Sequence, residues 1–346
     1  MNSVREIDSQ AIDRYLNGYA YLLLGAILII SVLSVDRTNL LDNDNYIVYF
    51  SNKNLLPDFF EQVSDAGSLG QAAGLFFSEE PLWLLYAQIT SSVLSPTLSI
   101  YFMVFLLNSI IVYSCSKFEY GFSGLLLWVL LPVGAATMGL YQIRQGLAVS
   151  LLALFFARRW NLTVGALIAT MVHTTFAIPL MAFSFLSLNI FRSRPLLFVL
   201  IFAMLCYFLT SFSAANFDEL GGRRSAAYTV EGDSVYTFNF VVEAFLFTLP
   251  SIIVAFDRKI QVAKSAMEIS LMQIGVLIWL IFCVYVFPIG ASRISYYPAI
   301  FSIFPILVSG RDLLRKHPFL MSAYAFIVIY AIYTGVRNGI YINNTY

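Results

Sequence analysis

Apolar runs long enough to cross a bilayer recur along the chain, at about 19–35, 98–115, 120–138, 140–157, 196–213, 238–256, 268–288, 294–310 and 319–336. A helix needs ~20 predominantly apolar residues to cross ~30 Å of hydrocarbon, so each run predicts a spanning helix. Two further runs fit less well. Pro81 to Leu94 is short and carries Gln88, Thr90, Ser91 and Ser92, whereas 162–188 is long but interrupted by His173-Thr174-Thr175 and Pro179. The pattern predicts an all-α, polytopic integral membrane protein with about 9–11 transmembrane or re-entrant helices. It reads as one membrane domain over residues 1–346, with polar loops at 36–80 and 214–237.

Charge placement suggests how the runs are threaded. Basic residues cluster at Arg5 and Arg14, at Lys117, at Arg158-Arg159, at Arg192 and Arg194, at Arg258-Lys259 with Lys264, and at Arg311, Arg315 and Lys316. All of these fall on the cytoplasmic side only if 81–94 does not cross and 162–188 enters and leaves on one side. Irregular backbone at membrane depth must line a cavity or be buried in protein, so two such elements predict a water-accessible cleft. This threading puts the 36–80 loop, Arg144, the break near His173, the 214–237 loop and Arg293 together on the outer side.

Composition agrees with the pattern: 59% of the residues are hydrophobic and 12% charged, with zero formal net charge. The polar stretch 1–17 and the absence of a small-residue cleavage pattern after the first run predict no cleavable signal peptide. Cys115, Cys206 and Cys283 all lie in apolar runs and read as packing residues, without disulfide or metal-ligand spacing. Two histidines make a His-built metal centre improbable, and no phosphate-binding glycine loop, CxxC or HExxH motif occurs. No metal, cofactor or nucleic-acid partner is expected.

The chemistry sits in a few residues. Arg144 lies between the uncharged stretches 125–138 and 147–157. An arginine at the centre of a membrane helix costs roughly 2.5–3.5 kcal/mol on insertion scales, so it needs a partner or a cavity. It reads either as a helix-end residue pairing with an acid such as Glu80, or as an anion-binding group. Glu80 precedes Pro81 at the mouth of the short run, where a carboxylate can cap a helix or accept a proton. Asp42-Asn43-Asp44 forms a turn-rich carboxylate cluster, and His173 stands at the break in 162–188. Arg293 follows a helix-ending Pro288-Ile289-Gly290 and precedes Tyr296 and Tyr297, a setting suited to an anionic head group or a sugar ring. Arginines and a histidine suit a diphosphate, and carboxylates suit general-base work.

The run Ile143-Arg144-Gln145-Gly146-Leu147-Ala148 resembles the EpsG-type family of Wzy-like bacterial polysaccharide polymerases. Asp44 with Tyr46, Glu80-Pro81, His173 with Thr175, and Arg293 with Tyr296 follow the resemblance in chain order, although the family more often has Ser where this chain has Thr175. The resemblance implies a multi-pass enzyme of the bacterial inner membrane, GT-C-like and acting without a nucleotide sugar. Such an enzyme transfers a glycan from undecaprenyl diphosphate to a lipid-linked repeat unit in O-antigen or exopolysaccharide synthesis, with a chain-length regulator as a possible partner. On this reading Asp44, Glu80 and His173 serve catalysis, while Arg144, Gln145, Arg293, Tyr141 and Tyr296 hold the substrate. A flippase of lipid-linked sugars and an O-antigen ligase are the alternatives.

Overall fold

In the computed structural model the described residues are 2–36, 43–52, 54–68, 72, 75–76, 79–215, 238–257, 259–260, 262–287, 291 and 294–338, with side chains described from residue 18 onward and, beyond residue 215, from 240. Among them the chain is helical and contains no strand. Among the described residues four helices are long and apolar enough to cross a membrane, Pro96–Cys115, Pro195–Ala215, Lys264–Val286 and Pro318–Arg337, and the bent pair Gly121–Leu130 with Pro132–Tyr141 makes a fifth if it is one span. The protein is a multi-pass, all-α membrane protein. Large apolar side chains such as Leu22, Leu23 and Ile30 near one end and Phe326 and Ile329 near the other are exposed, as lipid-facing surfaces require. The contacts group the chain into two compact units.

The first unit comprises residues 1–160, 171–174 and 334–346. Its elements are α1 (Asn2–Ser34), α2 (Asn43–Ser51), α3 (Leu55–Ser64), α4 (Pro81–Val93), α5 (Pro96–Cys115), α6 (Gly121–Leu130), α7 (Pro132–Tyr141) and α8 (Ile143–Ala157). Helix α5 lies at the centre, packed against α1, α2 and α8. Proline opens α4, α5 and α7, where its missing N–H has no intrahelical role, and the Ser95 hydroxyl caps α5 by accepting the Leu98 N–H. The expected span 120–138 is not one straight helix. It bends by 72° between α6 and α7, where Pro132 withholds a donor, and α7 winds in wide turns closed by five-residue bonds such as Gln142 N–H to Thr137 C=O at 2.7 Å. The sharp return from α7 into α8 depends on Gly146: a Cβ there would stand 1.9 Å from the Met138 carbonyl oxygen.

The second unit comprises residues 161–170 and 175–333. It contains α9 (Leu162–Val172, less its last two residues), a short turn at Thr174–Phe176, α10 (Ala177–Ser187), α11 (Asn189–Ser193), α12 (Pro195–Ala215), α13 (Phe238–Phe256), α14 (Lys264–Val286), α15 (Tyr297–Phe301), α16 (Ile303–Lys316) and α17 (Pro318–Arg337, to residue 333). The expected break in 162–188 is present, and the two arms fold back on each other. The Thr163 hydroxyl donates to the Phe183 carbonyl at 3.3 Å, whereas a straight helix would hold residues 20 positions apart about 30 Å from each other. Such a hairpin returns the chain to the end it left. The expected span 294–310 is divided between α15 and α16 at Ser302.

Helix α14 is the spine of this unit, packed against α10, α12, α13 and α16. Its one buried amide, Gln273, accepts from the Ser251 hydroxyl at 2.5 Å and donates to the carbonyls of Phe247 at 3.3 Å and Pro298 at 2.8 Å. Pro250 lies inside α13 beside these contacts and interrupts its hydrogen-bond ladder. At the end of α13, the Asp257 carboxyl is held below its ordinary pKa by the Lys259 backbone N–H and then by the His317 ring.

Replacing Gly146 by Ala forces backbone to move and is expected to cost about 1–3 kcal/mol. At Gly18, in α1, a Cβ meets nothing within 4 Å, and Ala is expected to stabilise by about 0.5–1 kcal/mol. Thermal unfolding of both variants in one detergent checks the pair; equal melting temperatures would contradict the close approach at Gly146.

Candidate functional site

The site is assembled where three helices begin or end within the first unit. Glu80 precedes α4 with φ 57° and ψ 63°, a left-handed conformation that L-residues other than Gly, Asn and Asp rarely adopt. Strain of this kind costs on the order of 1–3 kcal/mol and persists where surrounding contacts over-determine it. The carbonyl of Glu80 accepts the Trp83 and Leu84 N–H groups at 2.9 and 3.1 Å, starting the helix through its backbone. Its side chain makes no cap bond, which removes the helix-capping reading of this carboxylate.

The Glu80 carboxylate points instead at Arg144 and Thr174. Arg144 Nη1 donates to Glu80 Oε2 at 2.6 Å. Glu80 Oε1 accepts from the Thr174 backbone N–H at 3.2 Å and from the Thr174 hydroxyl at 3.4 Å, and His173 Nε2 stands 4.0 Å from the same oxygen. Glu80 is 1% exposed and the Arg144 side chain 20%. Arg144 occupies the first turn of α8, where backbone N–H groups and the helix dipole favour negative charge nearby. So Glu80 is held by a guanidinium, a helix start and a backbone amide at the break after α9.

Aromatic rings wall the guanidinium. Arg144 Cζ lies 5.3 Å from the Tyr49 ring centre, 5.9 Å from Trp83 and 6.0 Å from Tyr46, within the range of cation–π attraction. Trp83 is fully buried, with Tyr46, Tyr49 and Phe50 of α2 presenting edges to it at 5.6–6.1 Å. The α2 face that carries Asn43, Tyr46 and Phe50 is buried, and Tyr49 flanks it. Arg144 Nε has no hydrogen-bond partner among the described residues, leaving one buried donor beside a paired one.

The structure brings Glu80, Arg144 and His173 together. Asp44 does not join them: it is exposed, on the face of α2 opposite Tyr46. Gln145 is buried in α8 and Tyr141 half-buried at the end of α7. Tyr296 is half-buried in the second unit at the start of α15, where the next residue, Tyr297, is buried and shares a hydroxyl–hydroxyl hydrogen bond with Thr175. Arg293 lies outside the described residues, as do Arg37, Asp42, Lys53, Arg223 and Arg224. Sequence reasoning passed over Trp83 and Tyr49. Their signal was spacing: Trp83 stands three residues after Glu80 and Tyr49 three after Tyr46, which puts each on the same helix face as a residue already of interest. Among the described residues no cluster of three or more His, Cys, Asp or Glu is placed to hold a metal.

Breaking one half of this pair leaves a buried charge without its counter-ion, for which about 3–5 kcal/mol is typical. Glu80→Ala is therefore expected to unfold at a markedly lower temperature than the double variant Glu80→Ala with Arg144→Ala, in which neither charge remains. A single variant as stable as the double would contradict the pairing. A family model described as the EpsG family matches residues 20–344, nearly the whole chain. No curated protein and no solved structure matches the chain.

Proposed function

We propose that this chain, which belongs to the EpsG family, the Wzy-like polymerase family, elongates a polysaccharide from lipid-linked repeat units. The family makes it a membrane protein of polysaccharide polymerisation; the donor, the acceptor and the side of the membrane are the present reading. In this reaction the bond from the anomeric carbon to undecaprenyl diphosphate breaks on the outer face of the bacterial inner membrane. A new glycosidic bond forms to the acceptor sugar hydroxyl, whose proton passes to a base, and undecaprenyl diphosphate departs.

The observation that carries this reading is the arginine set in the first turn of α8, oriented through Nη1 by a buried carboxylate while its Nε–H has no acceptor among the described residues. A guanidinium in such a setting binds the oxygens of a departing diphosphate and stabilises the charge that develops there. Glu80 serves best as the residue that orients Arg144, because both of its oxygens are engaged. His173 then fits the role of proton acceptor better than the exposed Asp44, because its Nε2 stands 4.0 Å from the Glu80 carboxylate that orients Arg144. Tyr49, half-buried beside the guanidinium, supplies ring surface to a sugar. The family expectation of a GT-C-like architecture and of Arg293 as a further diphosphate ligand stays with the sequence.

Arg144→Lys keeps the charge that faces Glu80 but loses the planar donor fork. In cells lacking the chromosomal copy, this variant is expected to reach the membrane at normal levels. Long polysaccharide should fall at least tenfold, with single repeat units accumulating on the outer face. Normal chain lengths would contradict the role of Arg144, and a failure to display repeat units at all would favour a flippase.

A further inference from the structure

We propose that Asn108, in the middle of α5, is a positioning residue for Arg144; this rests on the reading of Arg144 as the group that meets the diphosphate. The backbone between α7 and α8 leaves carbonyls in need of donors. Gln142 leaves helical geometry, at φ −90° and ψ 59°, so the carbonyls of the last turn of α7 lose the partners that a continuing helix would supply. The Thr137 carbonyl takes the Gln142 N–H at 2.7 Å, and the Met138 carbonyl packs against Gly146. The Gly139 carbonyl takes its bond from another helix: Asn108 Nδ2 donates to it at 3.0 Å.

The same amide has two further bonds. Nδ2 donates to the Val104 carbonyl of its own helix at 2.9 Å, and Oδ1 accepts the Trp128 indole N–H at 3.2 Å. An indole N–H can only donate and a carbonyl can only accept, so these partners fix which way the amide points. Asn108 is fully buried and Trp128 nearly so. One side chain therefore ties α5 to both sides of the 72° bend, to α6 through Trp128 and to α7 through Gly139. Gly139 leaves room for it, since a Cβ there would come within 2.9 Å of Asn108 Oδ1. Arg144 follows the break directly, as the second residue of α8, so the direction of its side chain depends on where this backbone is held.

The expectation is that the amide acts on substrate through Arg144 alone. The test uses the full chain in lipid nanodiscs and measures binding of undecaprenyl diphosphate, with thermal unfolding recorded alongside. Asn108→Leu, close in volume and without hydrogen bonds, is expected to weaken binding about tenfold. In the Arg144→Lys background the same substitution is expected to cause no further loss, because the group it positions is already impaired. Trp128→Phe removes only the bond to Oδ1; it serves as the second variant should Asn108→Leu not fold, with a smaller loss of the same sign that again vanishes in the Arg144→Lys background. Unchanged binding in a folded Asn108→Leu or Trp128→Phe protein, or losses that multiply in the double variants, would overturn the proposal. If Arg144→Lys alone binds as tightly as the parent, the underlying reading of Arg144 fails instead, and the two failures are told apart.

Discussion

A carboxylate and a guanidinium buried side by side in an apolar helical protein bind each other to one geometry. Each ion alone would lose several kcal/mol of solvation, and the attraction between them offsets that loss only at close range with the remaining polar atoms satisfied. Glu80 and Arg144 meet at 2.6 Å, and the second carboxylate oxygen is occupied by Thr174. The entry into α4, the entry into α8 and the break after α9 are thereby tied to one point. The left-handed backbone of Glu80 is the local consequence of that demand: it aims the side chain at its partners while the carbonyl still starts α4.

Charge and irregular backbone meet each other's needs here. A continuous helix hides its amides and offers a buried ion nothing to bond with; a broken one exposes amides that must find acceptors. Glu80 stands before Pro81, Arg144 just after Gln142, and Thr174 just after the end of α9. The free N–H at one break bonds the carboxylate at another, and the carboxylate orients the arginine at a third. The aromatic residues of α2 and Trp83 then close around the guanidinium with flat surfaces that attract its charge and exclude water.

Much of this was legible before any coordinates. The cost of an isolated arginine singled out Arg144, and Glu80 was among the partners considered for it. Three polar residues, His173-Thr174-Thr175, and Pro179 mark the break in 162–188, and the hairpin lies there. Hydropathy is blind to direction. Residues 120–138 are apolar throughout, yet Pro132 and the non-helical Gly134 turn the chain by 72°, and a sum over side chains registers neither. Asp44 belongs to a carboxylate cluster that the sequence marks as turn-rich, whereas 43–51 form the helix α2 and Asp44 stands on its exposed face. Nothing in the sequence distinguishes Asn108, because its partners Trp128 and Gly139 reach it only across the bend.

The central claim is that the pair of Glu80 and Arg144 presents a single donor edge to a lipid diphosphate. The most direct measurement is an electron cryomicroscopy structure of the full chain in nanodiscs with undecaprenyl diphosphate. The account predicts a phosphate oxygen within hydrogen-bond reach of the Arg144 guanidinium, about 2.7–2.9 Å, with Glu80 still joined to Arg144 and Thr174. A diphosphate bound away from Arg144 would contradict it.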